Sequence, residues 1–356
     1  MNINNEPFVI VKKYQTDNDC FFCCNDTLHK LKKILKTMDI PLLVKGKKGI
    51  GKKSTIFKLL KYIPDLKYLD LNNNLFEKKF SIIKDDTLNN IYRFENLFYI
   101  NFELYVVNDY LKILKYISNL SKSRLHNERK IIFLSNIDLI GNTNQKILSN
   151  IIEKNSLNSA FIFTANTSNI IKKLNSMSCI ILFPYLDSTT FINLFNKYYK
   201  NKFPSNIQKN SQFYFNKFYD IYKSNNHNIN NTLYHINYLY CENLITKKEL
   251  NKITNINSII KKLIIRLINK LIFMKKINQL DDIRSEIYKL LSINLNESYI
   301  IENTISILLK LDIKNEQKYK LCNIASNISK QLPKCDKDTM LLENFFIHVF
   351  NIININ

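Results

Sequence analysis

The residues best suited to chemistry stand together early in the chain, at Gly46-Lys47-Lys48-Gly49-Ile50-Gly51-Lys52-Lys53-Ser54-Thr55. Three of the four glycines in 356 residues fall within this loop. A glycine-containing loop between a strand and a helix can turn its backbone N–H groups onto phosphate oxygens. The helix N-terminus adds its dipole, and a lysine reaches the terminal phosphates. The spacing Gly46-x4-Gly51-Lys52 fits that chemistry. The competing interpretation is a turn that merely opens a basic helix. The strand–loop–helix context favours phosphate, so Gly46, Lys47, Lys48, Gly49, Ile50, Gly51, Lys52, Lys53 and Ser54 are the candidate nucleotide-binding residues, with ATP or ADP as the ligand. The position after Lys52 should offer a hydroxyl to Mg²⁺. It carries Lys53 instead, with Ser54 one place later, so the sequence argues against a productive magnesium site.

Hydrolysis needs acids that the chain lacks. A phosphoryl-transferring enzyme of this kind ends its third strand with one acidic residue to orient Mg²⁺ and a second to polarise the attacking water. Here the strand ends Leu134-Ser135-Asn136-Ile137-Asp138. Ser135 and Asn136 are uncharged. Asp138 comes two residues late and is expected to cap or order the following loop. With no general base and no sound metal site, fast phosphoryl transfer has no supplier, and no catalytic residue is assigned.

Other reactive side chains point to packing. Cys20-Phe21-Phe22-Cys23-Cys24 contains a C-x-x-C, but no second pair follows at the spacing of a four-ligand zinc site, and His29 alone does not complete one. A buried apolar segment is the expectation, with no metal. His29, His126, His227, His235 and His348 sit apart and read as isolated surface or packing residues.

These residues need elements to place them. Residues 41–44 form a short apolar run into the loop, and 54–62 follow with helical spacing. Residues 66–71, 130–134, 160–164 and 179–183 read as further strands, and 144–154 as a helix. Continuous apolar runs between helices predict a parallel sheet covered on both faces, an α/β architecture. From residue 188 onward the pattern is mainly helical, with a polar break at 223–231. Longer helices are expected at 257–277, 281–294, 298–311, 314–331 and 337–352. The predicted division is an α/β nucleotide-binding domain at 1–187, a helical lid at 188–252 and a helical collar for oligomerisation at 253–356.

Composition sets outer bounds. Hydrophobic residues at 46% and aromatics at 12% exclude a disordered chain. No apolar run reaches the ~18 residues of a membrane helix, so no membrane partner is expected. The N-terminus is polar and lacks a signal-peptide core, and seven irregularly spaced cysteines read as reduced thiols of an intracellular protein. The formal charge of +22 favours an anionic partner such as nucleic acid. Only five of the 52 basic residues are Arg, and Asn, Ile, Lys, Phe and Tyr abound. That bias resembles an AT-rich genome, which tempers the argument from lysine.

The loop resembles the phosphate loop of a small subunit of eukaryotic replication factor C, the AAA+ loader of the sliding clamp. That subunit carries Gly-Lys-Lys where its relatives carry Gly-Lys-Thr. The likeness continues from Lys130 to Cys179, through Asp138, Gln145, Leu148, Glu153, Lys154 and Asn166 to Met177-Ser178-Cys179. It touches Val11-Lys12-Lys13-Tyr14-Gln15 near the start. Near the end it touches the run Ile283 to Leu291 and Phe345 to Phe350.

The resemblance implies an AAA+ nucleotide-binding domain, a lid and a collar. The collar would join five subunits around primer–template DNA and grip a PCNA-like sliding clamp. It implies work in DNA replication and repair, in the nucleus or an equivalent compartment, by the subunit that binds nucleotide without hydrolysing it. Residue by residue, Lys52 would bind phosphate and Asn166 would sense the terminal phosphate. Gln145 would couple nucleotide state to DNA, with Lys146 and Lys154 as DNA-facing cations. The departures are Ser178 where an arginine finger is expected, Asn230 about where a lid arginine would reach the phosphates, and Ser149 and Asn150 in place of two arginines. A lost finger costs ~10³ to 10⁵ in rate at a neighbour's site. The alternatives are an active AAA+ ATPase of another DNA-linked class, and a DNA-binding adaptor without nucleotide.

Overall fold

The structure is a computed structural model. It describes residues 21–60, 81–85, 88–125, 128–200, 203, 205–241, 245, 256–273, 280–292, 295, 297–332 and 338–354. The expected strand at 66–71 and the segment at 11–15 lie outside these residues. The chain falls into two compact units, one within residues 9–230 and one within 231–356.

The first unit is built on a seven-stranded sheet. Its strands are β1 (Leu42–Lys45), β2 (Ser81–Asp85), β3 (Leu88–Phe94), β4 (Leu97–Asn101), β5 (Lys130–Ser135), β6 (Ser159–Ala165) and β7 (Cys179–Leu182). They lie in the order β2-β3-β4-β5-β6-β1-β7. The α/β architecture is as expected, but the sheet is not parallel throughout. β4 through β7 pair in parallel, whereas β2, β3 and β4 form an antiparallel meander. Its short connections leave no room for crossover helices. Polar residues such as Asn89, Asn90 and Arg93 interrupt β3, which is why no continuous apolar run announced it.

Along the central strands alternate side chains enter two separate cores. Leu42, Val44, Ile131, Phe133 and Ile162 share one face with helices α1 (Asn25–Thr37) and α2 (Lys52–Leu59). Leu43, Ile132, Leu134, Phe161 and Phe163 share the other with α3 (Tyr110–Ser121), α4 (Asn142–Asn155) and α5 (Lys172–Met177). Cover on both faces buries β5 and β6 at every position, which is why their centres are continuous apolar runs.

Phe21, Phe22 and Cys23 are buried as expected. Phe22 meets the rings of Phe191, Phe195, Tyr198 and Tyr199 on α6 (Ser188–Tyr199). The helices α7 (Ser205–Lys209) and α8 (Ser211–Ser224) follow, and a turn at 225–228 leads into α9 (Ile229–Cys241).

The second unit continues α9 and packs α10 (Ile256–Phe273), α11 (Leu280–Ser292), α12 (Glu297–Leu308), α13 (Asn315–Gln331) and α14 (Asp338–Asn354). α10 shows why the sequence forms a helix here. Ile260, Leu263, Ile264, Leu267, Ile268 and Leu271 are buried at helical spacing, while Lys261, Lys262 and Arg266 face solvent. Glu286 on α11 is 3% exposed and accepts from Lys270 at 2.7 Å, with Lys289 at 3.4 Å and Arg266 at 3.8 Å. Among the described residues no helix is long and apolar enough to cross a membrane.

Candidate functional site

β1 delivers the chain to the sheet's C-terminal edge, and the loop 46–51 carries it into α2. Gly46 hydrogen-bonds through its N–H to Ala165 O (3.2 Å), which ties the loop's start to β6. A Cβ on Gly46 would lie 2.8 Å from Phe183 O, so a side chain there has no space. Gly49 has φ +82°, a conformation that side chains resist. Its would-be Cβ falls onto the side chain of Asn228, and its carbonyl accepts from Ile229 N at 2.9 Å. Gly51 caps α2 with no side chain to occupy the helix N–H groups. The loop thus leaves backbone donors at a helix N-terminus, the geometry that holds an anion.

Lys52 lies at the centre. It is 6% exposed and donates to Gly46 O (2.5 Å), Lys47 O (2.6 Å) and Asn166 Oδ1 (3.0 Å). Burial pulls its pKa down to about 8, and the charge of Asp138 partly offsets that. All three ammonium donors face neutral oxygens, which is a poor substitute for a phosphate. The side chain is therefore held beneath the loop and poised for an anion.

The ends of three strands form an amide network beside it. Asn101 Oδ1 at the end of β4 accepts from Ser135 Oγ (3.0 Å), Asn136 Nδ2 (2.8 Å) and the Glu103 N–H (3.2 Å). The Tyr99 hydroxyl bonds Ser135 Oγ at 3.0 Å, and burial pushes its pKa up to about 12. Asn136 stands just past β5 with φ 60°. Its Oδ1 accepts from Asn166 Nδ2 at 2.8 Å, and its Nδ2 also donates to Glu103 at 3.2 Å. Glu103 in turn pairs with Lys48. Ser135, Asn136, Asn166 and Lys52 are thereby brought together in one network.

Asp138 does order a loop, but not the one that follows it. Its carboxylate accepts from Asn166 N, Thr167 N and Thr167 Oγ1, each at 3.1 Å. It holds the turn after β6, which sets Asn166 against Lys52.

The donor set fits a phosphate and does not fit magnesium. Ser135, Asn101 and Asn136 offer only neutral oxygens that already accept or donate within the network. Of the nearby carboxylates, Asp138 is committed to backbone N–H groups and Glu103 to Lys48. Lys53, at the usual hydroxyl position, is exposed and directs its ammonium to within 5.7 Å of the Tyr99 ring. A divalent cation would meet these lysines, while the two nearby carboxylates, Asp138 and Glu103, already serve as their counter-charges.

The remaining candidates disperse. Gln145 is 1% exposed, so it does not face the surface. Its amide donates to Ile140 O and Asn169 O and accepts from Ile171 N, bracketing α4 to the segment after β6. Lys146 and Lys154 are exposed on α4. Ser149 is buried on its own helix, and Asn150 meets Lys173 at 2.9 Å. Ser178 joins α5 to β7 with its Oγ buried and without a hydrogen-bond partner among the described residues. Asn230 is exposed in the first turn of α9.

The turn that approaches the loop comes slightly earlier, at His227 and Asn228. His227 lies 4.5 Å from the Tyr185 ring and 5.0 Å from Tyr222, and Lys47 stands 5.4 Å from Tyr185. Burial, then Lys47 and Lys223, lower the His227 pKa. Asn101, Glu103, Tyr185 and Asn228 escaped sequence reasoning, whereas His227 packs against rings as one of the packing or surface histidines expected. A signal for the first two was present, because Leu97-Phe98-Tyr99-Ile100 is an apolar run that ends in Asn-Phe-Glu.

No protein-family model and no curated protein sequence matches the chain. Among solved structures it is similar to a DNA polymerase III gamma subunit-related protein from Thermotoga maritima, at 11% identity over 92% of this chain and 100% of that one, with TM-score 0.39. It is similar also to the replication initiator DnaA bound to AMPPCP and single-stranded DNA, at 11% identity over 90% of this chain and 97% of that one, with TM-score 0.39.

Proposed function

We propose that this chain is a nucleotide-binding, non-hydrolysing AAA+ subunit of a replication factor C-like clamp loader. The observation that carries the proposal is the pairing of an intact phosphate cradle with amide-terminated strands. Lys52, Gly49 and Asn166 are arranged for an anion, while the two strand-end positions that would activate water are Ser135 and Asn136, both spent on Asn101. An active ATPase needs a carboxylate there. Asp138, the nearest in sequence, is consumed by the 166–167 turn.

The nucleotide, ATP or ADP, would have its phosphates on the loop N–H groups and Lys52, with Lys47 and the His227 turn beside it. It would serve as a structural ligand that braces the unit for its neighbours. Ser178, in place of an arginine, then offers no catalytic finger to an adjoining subunit. The helical chain after residue 252 would be the collar that joins other subunits, with 188–252 as the lid. A run of large apolar side chains is exposed just beyond β4, at Leu104, Val106, Val107 and Leu111. Such a patch suits a protein partner, and we assign it to the sliding clamp. Exposed Lys146 and Lys154 would meet primer–template DNA without sequence preference. The site of action would be the nucleus or an equivalent replication compartment.

Affinity purification of the tagged full chain from its native cells tests the assembly. Four related AAA+ chains and a clamp are expected with it. Recovery as a stable homo-oligomer without them would contradict the proposal.

A further inference from the structure

The phosphate cradle carries an anion of its own. Glu103 leaves the sheet one residue after Phe102, at the end of β4, and its carboxylate reaches across to Lys48 in the loop. The same carboxylate accepts from Asn136, and the Glu103 N–H is held by Asn101. A closed circuit results: Lys48 to Glu103, Asn136, Asn166, Lys52 and back to the loop carbonyls. Within it, Lys52 meets neutral oxygens, whereas Lys48 meets a full negative charge. Directly after Glu103 come Leu104, Val106, Val107 and Leu111, at 47%, 68%, 72% and 52% exposure.

We propose, building on the phosphate-binding role given to the loop above, that Glu103 is a resident counter-anion. It yields Lys48 to an incoming nucleoside polyphosphate and transmits that exchange to the apolar segment 104–111. The physics is competition. A polyphosphate carries several negative charges and binds a lysine more strongly than one carboxylate does. Once Lys48 turns to the ligand, Glu103 is left beside like charge and is pushed outward. Its remaining ties are one hydrogen bond from the Asn136 amide to the carboxylate and one from its own N–H to Asn101, and the short turn Phe102–Leu104 moves with it. Because the Lys48–Glu103 pair is solvent-exposed, breaking it costs little, and the exchange stays reversible.

The test is a calorimetric titration of the full chain with ADP in EDTA, for the native sequence, Glu103→Gln, Lys48→Met and the double variant. Hydrogen exchange of residues 102–111 is followed in each. Glu103→Gln should bind ADP about two- to fivefold more tightly, the yield of removing an exposed ion-pair competitor. Lys48→Met should bind less tightly, and adding Glu103→Gln to it should change nothing further. In the native chain ADP should speed exchange at 102–111. In Glu103→Gln, which keeps its hydrogen bonds and feels no repulsion from the ligand, that exchange should be indifferent to ADP. Glu103→Ala repeats the comparison should the glutamine variant fold poorly.

Unchanged affinity and unchanged exchange in the Glu103 variants, with ADP binding still weakened by Lys52→Met, would overturn the counter-anion and leave the phosphate site standing. Failure of ADP to bind any form would overturn both.

Discussion

At the residue scale, one ammonium group sets the behaviour of the site. Lys52 is buried among neutral acceptors, and its pKa sits at about 8 against an ordinary 10.5. The unfolded chain therefore holds more protons than the folded one between those values, and stability should rise with pH across that window as the cost of the buried charge disappears. Anion binding runs the other way. ADP affinity should be flat below pH 8 and fall above it, as the free ammonium loses its proton before the ligand arrives. Titrations from pH 7 to 9.5 measure this directly. Lys52→Met should lose about 10- to 100-fold in ADP affinity at neutral pH, the worth of one charge-assisted contact, and should flatten the pH profile.

At the element scale, the strand ends matter more than the strands. The turn after β6 has few hydrogen bonds within itself, Ile170 N to Ser168 O and Asn169 N to Thr167 Oγ1, and leans on Asp138. Asp138→Asn keeps the shape but removes the charge and turns one acceptor into a donor. It should lower unfolding stability by about 1–3 kcal/mol in urea melts. It should also weaken ADP binding, because Asn166 loses its place against Lys52. A surface carboxylate with no role would shift neither.

The same scale shows what was legible beforehand. β1, β5, β6, β7, the helices α2 and α4 and the helical pattern after residue 188 follow from apolar runs and 3.6-residue spacing, whereas α1, α3 and α5 were not read from the sequence. Nor was the meander β2–β4, since its polar strand β3 breaks the run and its pairing is set by partners elsewhere. Asn101 and Glu103 were hidden for that reason: a contact across strand ends leaves no period in sequence. Asn230 lies two residues beyond Asn228, which meets the loop, and no local pattern fixes where such a turn touches down.

At the scale of the whole molecule, charge is distributed unevenly in its consequences. In the helical unit, burial opposes ionisation of Glu286. The hydrogen bond from Lys270, with Lys289 and Arg266, nevertheless holds its carboxyl below the ordinary range. A depressed carboxylate stabilises above the unfolded value near 4.5, and that contribution is lost as pH falls through the lower folded value. Glu286→Ala removes the shared counter-charge of three partly exposed cations, which solvent then screens, and should cost about 1 kcal/mol of stability. Acid-induced unfolding of the variant should then begin at higher pH than in the native chain.

The account as a whole holds that the pocket takes a nucleotide and keeps it whole. The most direct measurement incubates the purified full chain with ATP and magnesium, then quantifies bound nucleotide and released phosphate in the same sample. Saturable binding that Lys52→Met weakens about 10- to 100-fold, with phosphate release no faster than the protein-free blank, is the predicted result. Phosphate release on the order of one turnover per second, the lower end of ordinary enzymes, would contradict it.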